Sequence, residues 1–327
     1  MAFGRQGISA TTYRRVTLFA LAALIFIIIT GGAVRLTGSG LGCSDWPTCE
    51  DNQLVADLEY HAMVEFVNRV ITGFVSAAVA LAVLGALLRR PRRRDLIVLA
   101  LGLVGGVAGQ VVLGGLVVWY HLSPWLVIAH FLLSMVLVAN AVVLHHRAGR
   151  SEAGGAAGAD PADTSGVPRR GTENLANLLV LLTVLAVVSG TLLTGAGPHG
   201  GDPDVERLQF HIPSLARLHG TAMALCAGVA LLLWALAERG SLHPRRRVWR
   251  RQGYAAEARL TVGVLAAQAV VGYLQYFTGV PPLLVGIHIA GAAALWTAVL
   301  RLQLSVREQP AAAASKGRRA SRVAPVG

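Results

Sequence analysis

The chain has 327 residues, of which 54% are hydrophobic and only 14% charged, and its formal net charge is +12. A soluble domain usually carries about 25% charged residues, so this composition excludes an ordinary soluble globular protein. The basic residues adjoin apolar runs. They therefore indicate membrane topology and attraction to anionic lipid, and they argue against a nucleic-acid partner.

Eight apolar runs are long enough to cross a bilayer as helices, which takes roughly 20 residues each. In chain order these runs are 16–36, 63–88, 96–118, 125–145, 174–194, 214–237, 260–278 and 283–303. They lack the alternation of barrel strands, and a helix satisfies its own backbone hydrogen bonds in lipid. The sequence therefore predicts an all-α membrane protein with eight transmembrane helices.

The distribution of basic residues predicts the orientation of these helices, because cytoplasmic loops carry an excess of Lys and Arg. All 29 basic residues except Arg35, Arg69, Arg207 and Arg217 fall in segments on the same side as the N-terminus. Both termini are therefore predicted to be cytoplasmic.

An internal repeat divides the chain into two halves. Residues Gln110, Gly114, Pro124 and His130 recur after a constant 158 residues as Gln268, Gly272, Pro282 and His288. A TGxG motif after the first span also recurs, as 37–40 and 194–197. The repeat predicts two pseudo-repeated four-helix bundles with related pockets.

Composition suggests the boundaries of these bundles. The predicted N-terminal half is 1–147 and the C-terminal half is 173–303. The segment 148–172 is rich in Gly, Ala, Asp, Pro and Ser, which is typical of a flexible linker. The tail 304–327 is expected to be disordered.

Three histidines lie at matched depth, about five residues inside the outer ends of spans four, six and eight: His130, His219 and His288. Each alone could be a core histidine, but ionisable residues at this depth are usually functional. Zinc normally takes four ligands, which the C-terminal half does not offer at that depth. Haem iron between two facing imidazoles of a four-helix bundle fits better, so His219 and His288 are predicted as iron ligands.

Span two carries Asn68 at the place that corresponds to His219. Glu65 and Arg69 lie on one helix face there, four residues apart. They admit a structural interpretation, an intrahelical ion pair. They also admit a functional one, in which Glu65 handles protons near a reactive centre and Arg69 holds a carboxylate.

The loop after span one contains Cys43 and Cys49. It faces a compartment in which a disulfide can form, and two cysteines alone make a poor zinc site. The two cysteines are compatible with a structural disulfide that closes the loop and with a redox-active dithiol.

Together these motifs resemble the haem A synthase family. The resemblance rests on the loop 37–49, on Glu65 and Arg69, on the second loop 194–199, and on the histidines of spans four, six and eight, and it covers about 16–303. It implies a multi-pass enzyme of the bacterial plasma membrane. Such an enzyme oxidises the C8 methyl group of haem O to a formyl group, giving haem A for terminal oxidases.

The resemblance also implies the site residues. A haem B cofactor is expected on His219 and His288, and the substrate haem O near His130. Glu65 belongs to the implied active-site set, and Arg69 or Arg35 is expected to pair with haem propionates. The family carries a histidine where Asn68 stands here, so the substrate pocket keeps only His130 of the expected pair.

Implied partners are haem O, haem O synthase and assembly factors of the terminal oxidase, and a homo-oligomer is left open. The sequence also allows two other functions. One is a diheme membrane cytochrome between quinone and an outer partner, against which Asn68 argues because stable electron carriers normally keep two ligands per haem. The other is a transporter or haem-delivery scaffold, against which the unbroken spans argue.

Overall fold

The computed structural model describes residues 7–49, 55–150, 169–241 and 254–308. Its helices are α1 (Ala10–Leu36), α2 (Tyr60–Leu88), α3 (Arg94–Trp119), α4 (Pro124–Ala148), α5 (Arg169–Ala196), α6 (Ile212–Ser241), α7 (Ala255–Phe277) and α8 (Pro282–Arg307). All eight are long and apolar enough to cross a membrane. The predicted fold class is confirmed. Most of the predicted linker and tail lies outside the described residues.

The helices extend beyond the predicted spans, mainly at the ends that carry the charged loops. The first helix begins at Ala10 rather than at residue 16, because the Ser9 hydroxyl accepts a hydrogen bond from the Thr12 backbone N–H at 3.0 Å and caps it. The last helix continues to Arg307 rather than ending at residue 303. Hydropathy marks only the apolar part of a helix, whereas the helix itself continues to its cap.

Large apolar side chains cover the outside of the bundle. Phe26, Phe74 and Val98 are 52%, 56% and 66% exposed, respectively. Such a surface is unfavourable in water and favourable against lipid tails. The chain is therefore a multi-pass membrane protein.

Each half of the molecule is a closed ring of four helices. In the N-terminal half α1 packs on α2, α2 on α3, α3 on α4, and α4 on α1; helices α5 to α8 repeat this order. The halves meet where α1 packs on α8, α4 on α5, and α4 on α8. Exchanging the two halves maps this set of contacts onto itself, so the arrangement has pseudo-twofold symmetry.

The centre of the molecule is the contact between α4 and α8. The indole N–H of Trp296 on α8 donates a buried hydrogen bond to the Met135 carbonyl on α4 at 2.9 Å. These are the helices that carry His130 and His288. The two histidine pockets are therefore separated by one pair of packed helices.

The TGxG motifs end the first helix of each half. The Thr37 hydroxyl donates to the Ala33 carbonyl at 2.9 Å, and the Thr194 hydroxyl donates to the Gly190 carbonyl at 2.7 Å. Each hydroxyl thus binds a backbone carbonyl of its own helix close to the point where that helix ends. We call the end of the bundle formed by residues 37–49, 120–123, 197–211 and 278–281 the TGxG end.

The two TGxG loops also bind each other. The Gly40 N–H donates to the Gly201 carbonyl at 2.9 Å. Arg35, two residues before the first motif, donates to the His199 carbonyl at 2.6 Å and the Thr194 carbonyl at 2.9 Å. The halves are thus joined at this end as well as along α4 and α8.

Candidate functional site

The C-terminal half brings two predicted iron ligands close together. His219 on α6 and His288 on α8 have ring centroids 6.2 Å apart and ring planes at 66°. His219 Nδ1 lies 2.9 Å from the Ala186 carbonyl oxygen and 3.4 Å from the Ser189 hydroxyl. A histidine that ligates a metal usually donates its other ring N–H to such an acceptor, which orients the ring.

Two of the histidines keep a buried ring nitrogen without a partner. Among the described residues, Nδ1 of His130 and Nδ1 of His288 make no hydrogen bond. A histidine with a purely structural role is normally satisfied when buried, whereas a neutral imidazole is a common metal ligand. The unsatisfied nitrogens therefore favour the interpretation that His130 and His288 bind a ligand.

The donor set fits haem better than a bare metal ion. In the part of the chain that the structure describes, no group of three or more His, Cys, Asp or Glu side chains could hold a metal ion. His219 and His288 supply only two donors. A haem iron needs no more than these, because its macrocycle brings the remaining ligands.

The glutamines of the repeat fix the histidines from a neighbouring helix. The side-chain amide of Gln110 on α3 donates to the His130 carbonyl at 3.0 Å. The amide of Gln268 on α7 donates to the His288 carbonyl at 3.1 Å. Each glutamine holds the backbone from which the histidine ring projects, and the two bonds are equivalent under the repeat.

The glycines of the repeat leave space beside the same rings. A Cβ atom on Gly114 would lie 3.7 Å from Cε1 of His130, and one on Gly272 would lie 3.4 Å from Cε1 of His288. A larger side chain at either position would displace the ring. The repeated prolines begin α4 and α8, the helices that carry the two histidines. The repeated glutamine, glycine and proline thus all help to position the histidine of their half.

The N-terminal half carries one predicted iron ligand, His130, on α4. Asn68 on α2 faces α1, where the Thr30 hydroxyl donates to its side-chain oxygen at 2.8 Å. His219 similarly faces α5, so the two residues hold corresponding places. No second histidine ring contacts His130 within the described ranges, and His61 is bonded to the Ser39 hydroxyl at 2.9 Å.

Glu65 and Arg69 bind each other and the cysteine loop. Nη2 of Arg69 lies 2.5 Å from Oε1 of Glu65, and the Cys43 N–H donates to Oε2 of Glu65 at 2.8 Å. Nη1 of Arg69 donates to the carbonyls of Thr48 at 2.6 Å and Asp45 at 2.9 Å. The pair therefore links α2 to the loop, in addition to forming the intrahelical ion pair that its spacing allows.

The cysteine pair is bonded, which confirms the predicted disulfide. Cys43 and Cys49 are joined with a Cα–Cα distance of 4.4 Å, and both are buried. Arg35 binds carbonyls of the other half and lines a cavity at the junction of the halves together with Arg207 and Ile128. Arg35 and Arg69, both predicted to line the substrate pocket, therefore bind different segments of the chain.

Sequence reasoning did not assign a role to Trp46 or to the two glutamines. The glutamines carried a signal, since Gln110 and Gln268 are repeat equivalents. Trp46 carried only its place in the cysteine loop. Which side chains these residues touch depends on helix rotation and loop placement, which the sequence pattern does not define.

The sequence of this chain is similar to those of proteins named heme A synthase. "Heme A synthase" of Listeria monocytogenes serovar 1/2a is 26% identical over 274 residues, which cover 81% of this chain and 85% of that protein. "Heme A synthase" of Exiguobacterium sibiricum is 28% identical over 128 residues, covering 38% of this chain and 43% of that protein. The longer match spans both halves.

The COX15-CtaA family model, described as a cytochrome oxidase assembly protein, matches residues 14–198. This match runs from α1 through the second TGxG motif and includes the cysteine loop, the Glu65–Arg69 pair and His130. Since it covers more than half of the sequence, the chain belongs to the COX15-CtaA family of cytochrome oxidase assembly proteins.

Proposed function

We propose that this chain is a haem A synthase, an oxidoreductase that converts the C8 methyl group of haem O to a formyl group. The observation that carries the proposal is the facing pair His219 and His288, in a chain whose other half repeats the same device around His130. Family membership and the names of the relatives supply the reaction. The product would serve terminal cytochrome oxidases.

We assign the C-terminal half to a resident haem B held by His219 and His288. When bound, haem B supplies reversible one-electron transfer. The protein's part is to orient the ligands: the Ala186 carbonyl orients the His219 ring, and Gln268 fixes the backbone of His288. Ring positions that are set before binding lower the entropic cost of binding.

We assign the N-terminal half to the substrate, with His130 as its ligand. The oxidation removes four electrons from the methyl carbon and places one oxygen atom on it. Asn68 offers an amide that already accepts a hydrogen bond from Thr30. A single protein ligand suits a haem that must arrive as substrate and leave as product.

Glu65 is proposed to handle protons at this pocket, with Arg69 beside it. The carboxylate is only 6% exposed, and its Oε2 and Oε1 already accept N–H groups of Cys43 and Arg69. Arg35 is the better candidate for a haem propionate, because no described acceptor takes up its Nη1 group, whereas Nε, Nη1 and Nη2 of Arg69 all donate to described acceptors.

The remaining proposals concern topology and partners. The TGxG end faces the outside and both termini the cytoplasm, with 1–147 and 173–303 as the functional halves. Haem O synthase and oxidase assembly factors are the expected partners, and self-association is open to test. Reporter fusions at residue 160 and in the loop 200–206 would report opposite sides of the membrane if this orientation holds.

The decisive experiment identifies the haems extracted from the purified protein and from His288→Ala. Haem B together with haem O or haem A in the wild type, and loss of haem B in the variant, is the expected result. Two haem B per chain would favour an electron-carrying diheme cytochrome instead. A wild type without haem would refute both functions.

A second experiment tests the role of Glu65. Glu65→Gln keeps a hydrogen-bond acceptor for the Cys43 N–H but removes the charge and the titratable proton. Haem A formation in cells that depend on this enzyme should fall sharply, while the haem B content stays at one per chain. Unchanged haem A formation would show that Glu65 does not handle protons in the reaction.

A further inference from the structure

The cysteine loop is fixed to α2 at several points. Glu65 binds the Cys43 N–H, and Arg69 binds the carbonyls of Asp45 and Thr48. The disulfide closes the same segment from 43 to 49. With its backbone anchored in this way, the loop can hold a side chain at a defined place over the N-terminal half.

The side chain that the loop projects is Trp46, which is half-buried. The guanidinium carbon of Arg69 lies 5.0 Å from the centroid of its indole ring, a cation–π contact. The other edge of the indole rests on α3. A Cβ atom on Gly115 would lie 2.6 Å from Cδ1 of Trp46, closer than real contacts allow. The indole therefore occupies the space that any side chain at position 115 would need.

Trp46 also reaches the pocket of His130. The position that a Cβ atom would take on Gly114 lies 3.9 Å from Cη2 of Trp46 and 3.7 Å from Cε1 of His130. The indole of Trp46 and the imidazole of His130 thus both lie next to Gly114 of α3. A flat molecule bound at His130 would have the indole at its edge on the TGxG side.

The C-terminal half lacks this arrangement. Repeat equivalents of Gly114 and Gly115 are Gly272 and Tyr273, and Tyr273 is 68% exposed. The loop 197–211 contains no tryptophan. The space at Gly115 that accepts the indole is therefore found only in the half that we assign to the substrate.

We propose that Trp46 closes the substrate pocket: its indole contacts the edge of the haem at His130 and sets how fast that haem enters and leaves. The inference rests on the proposed function, because it requires an exchangeable haem in the N-terminal half. A substrate pocket needs a barrier that opens in each turnover, whereas a resident cofactor does not. An indole provides a large apolar contact for the macrocycle with only two rotatable bonds to order.

The test measures haem transfer from the full-length protein in detergent to an excess of myoglobin stripped of its haem. The wild type, loaded with haem O as well as haem B, should release haem in a faster phase from the N-terminal half and a slower one from the C-terminal half. Trp46→Ala should accelerate the faster phase about tenfold, which corresponds to about 1.4 kcal/mol. The slower phase should not change.

Matched variants distinguish a specific effect of Trp46 on haem release from a general destabilisation of the helix bundle. Gly115→Ala should accelerate the same phase because it displaces the indole, whereas Gly105→Ala, on the same helix with open space around it, should not. Trp125→Ala removes another tryptophan at the TGxG end, one that packs on Phe210 instead, and should leave both phases unchanged.

Three outcomes would overturn the inference. A wild-type rate in both Trp46→Ala and Gly115→Ala would refute the barrier alone and leave the proposed function intact. Equal acceleration of both phases would show that these changes loosen the whole bundle. A wild type that takes up no haem at all would refute the proposed function, and the barrier with it.

Discussion

Replacing Gln268 by leucine should weaken haem B binding without unfolding the protein. Gln268 is 4% exposed, and its amide donates a single bond, at 3.1 Å, to the His288 carbonyl. Leucine keeps most of the volume and removes the donor. The His288 carbonyl keeps its helical hydrogen bond, so no buried acceptor is left unpaired.

The expected size of the effect follows from that one bond. A hydrogen bond between neutral groups contributes about 1 kcal/mol net. If that energy serves to hold His288 in its ligating position, the dissociation constant for haem B rises about fivefold. Gln110→Leu is the repeat-equivalent control, since it acts on His130 and should leave haem B affinity unchanged.

The assay is an optical titration of protein purified from haem-deficient cells, with ferric haem B added to the wild type and to both variants. A fivefold weaker affinity confined to Gln268→Leu is the expected result. If Gln268→Leu bound haem B as tightly as the wild type, or if Gln110→Leu weakened it equally, the glutamine would not be positioning the histidine.

Two further changes test the pocket and the junction. Asn68→His should supply a second imidazole to the N-terminal haem, and a low-spin spectrum with slower haem release would be the sign; a spectrum like that of the wild type would show that residue 68 does not face the iron. Trp296→Phe removes the bond to the Met135 carbonyl across the halves. It should cost about 1 kcal/mol and lower the thermal midpoint by about 1.5 °C, and an unchanged midpoint would show that this bond does not stabilise the junction.

Much of the architecture was predictable because a membrane imposes strong rules on sequence. Apolar runs of sufficient length predicted all eight helices. Their ends were less predictable: the Ser9 cap, for example, starts α1 outside the apolar run. Packing order within each half was not deducible from the runs, but the repeat correctly indicated that both halves share it.

The candidate site was predictable where chemistry follows spacing along one helix. The four-residue spacing of Glu65 and Arg69 predicted their ion pair, and the repeat singled out His130 and His288. Contacts between distant segments were not predictable. The bonds from Arg69 to loop carbonyls and from Arg35 to the other half depend on loop geometry, about which hydropathy carries no information.

The pseudo-twofold symmetry of the contacts between the halves bears on how such a chain could arise. Two identical copies of one half would meet through the same three contacts, because a twofold interface is isologous. A four-helix ancestor could thus have worked as a homodimer before gene fusion. After fusion each copy could diverge alone, as Asn68 opposite His219 and Gly115 opposite Tyr273 illustrate, while the seam between α4 and α8 continued to constrain both.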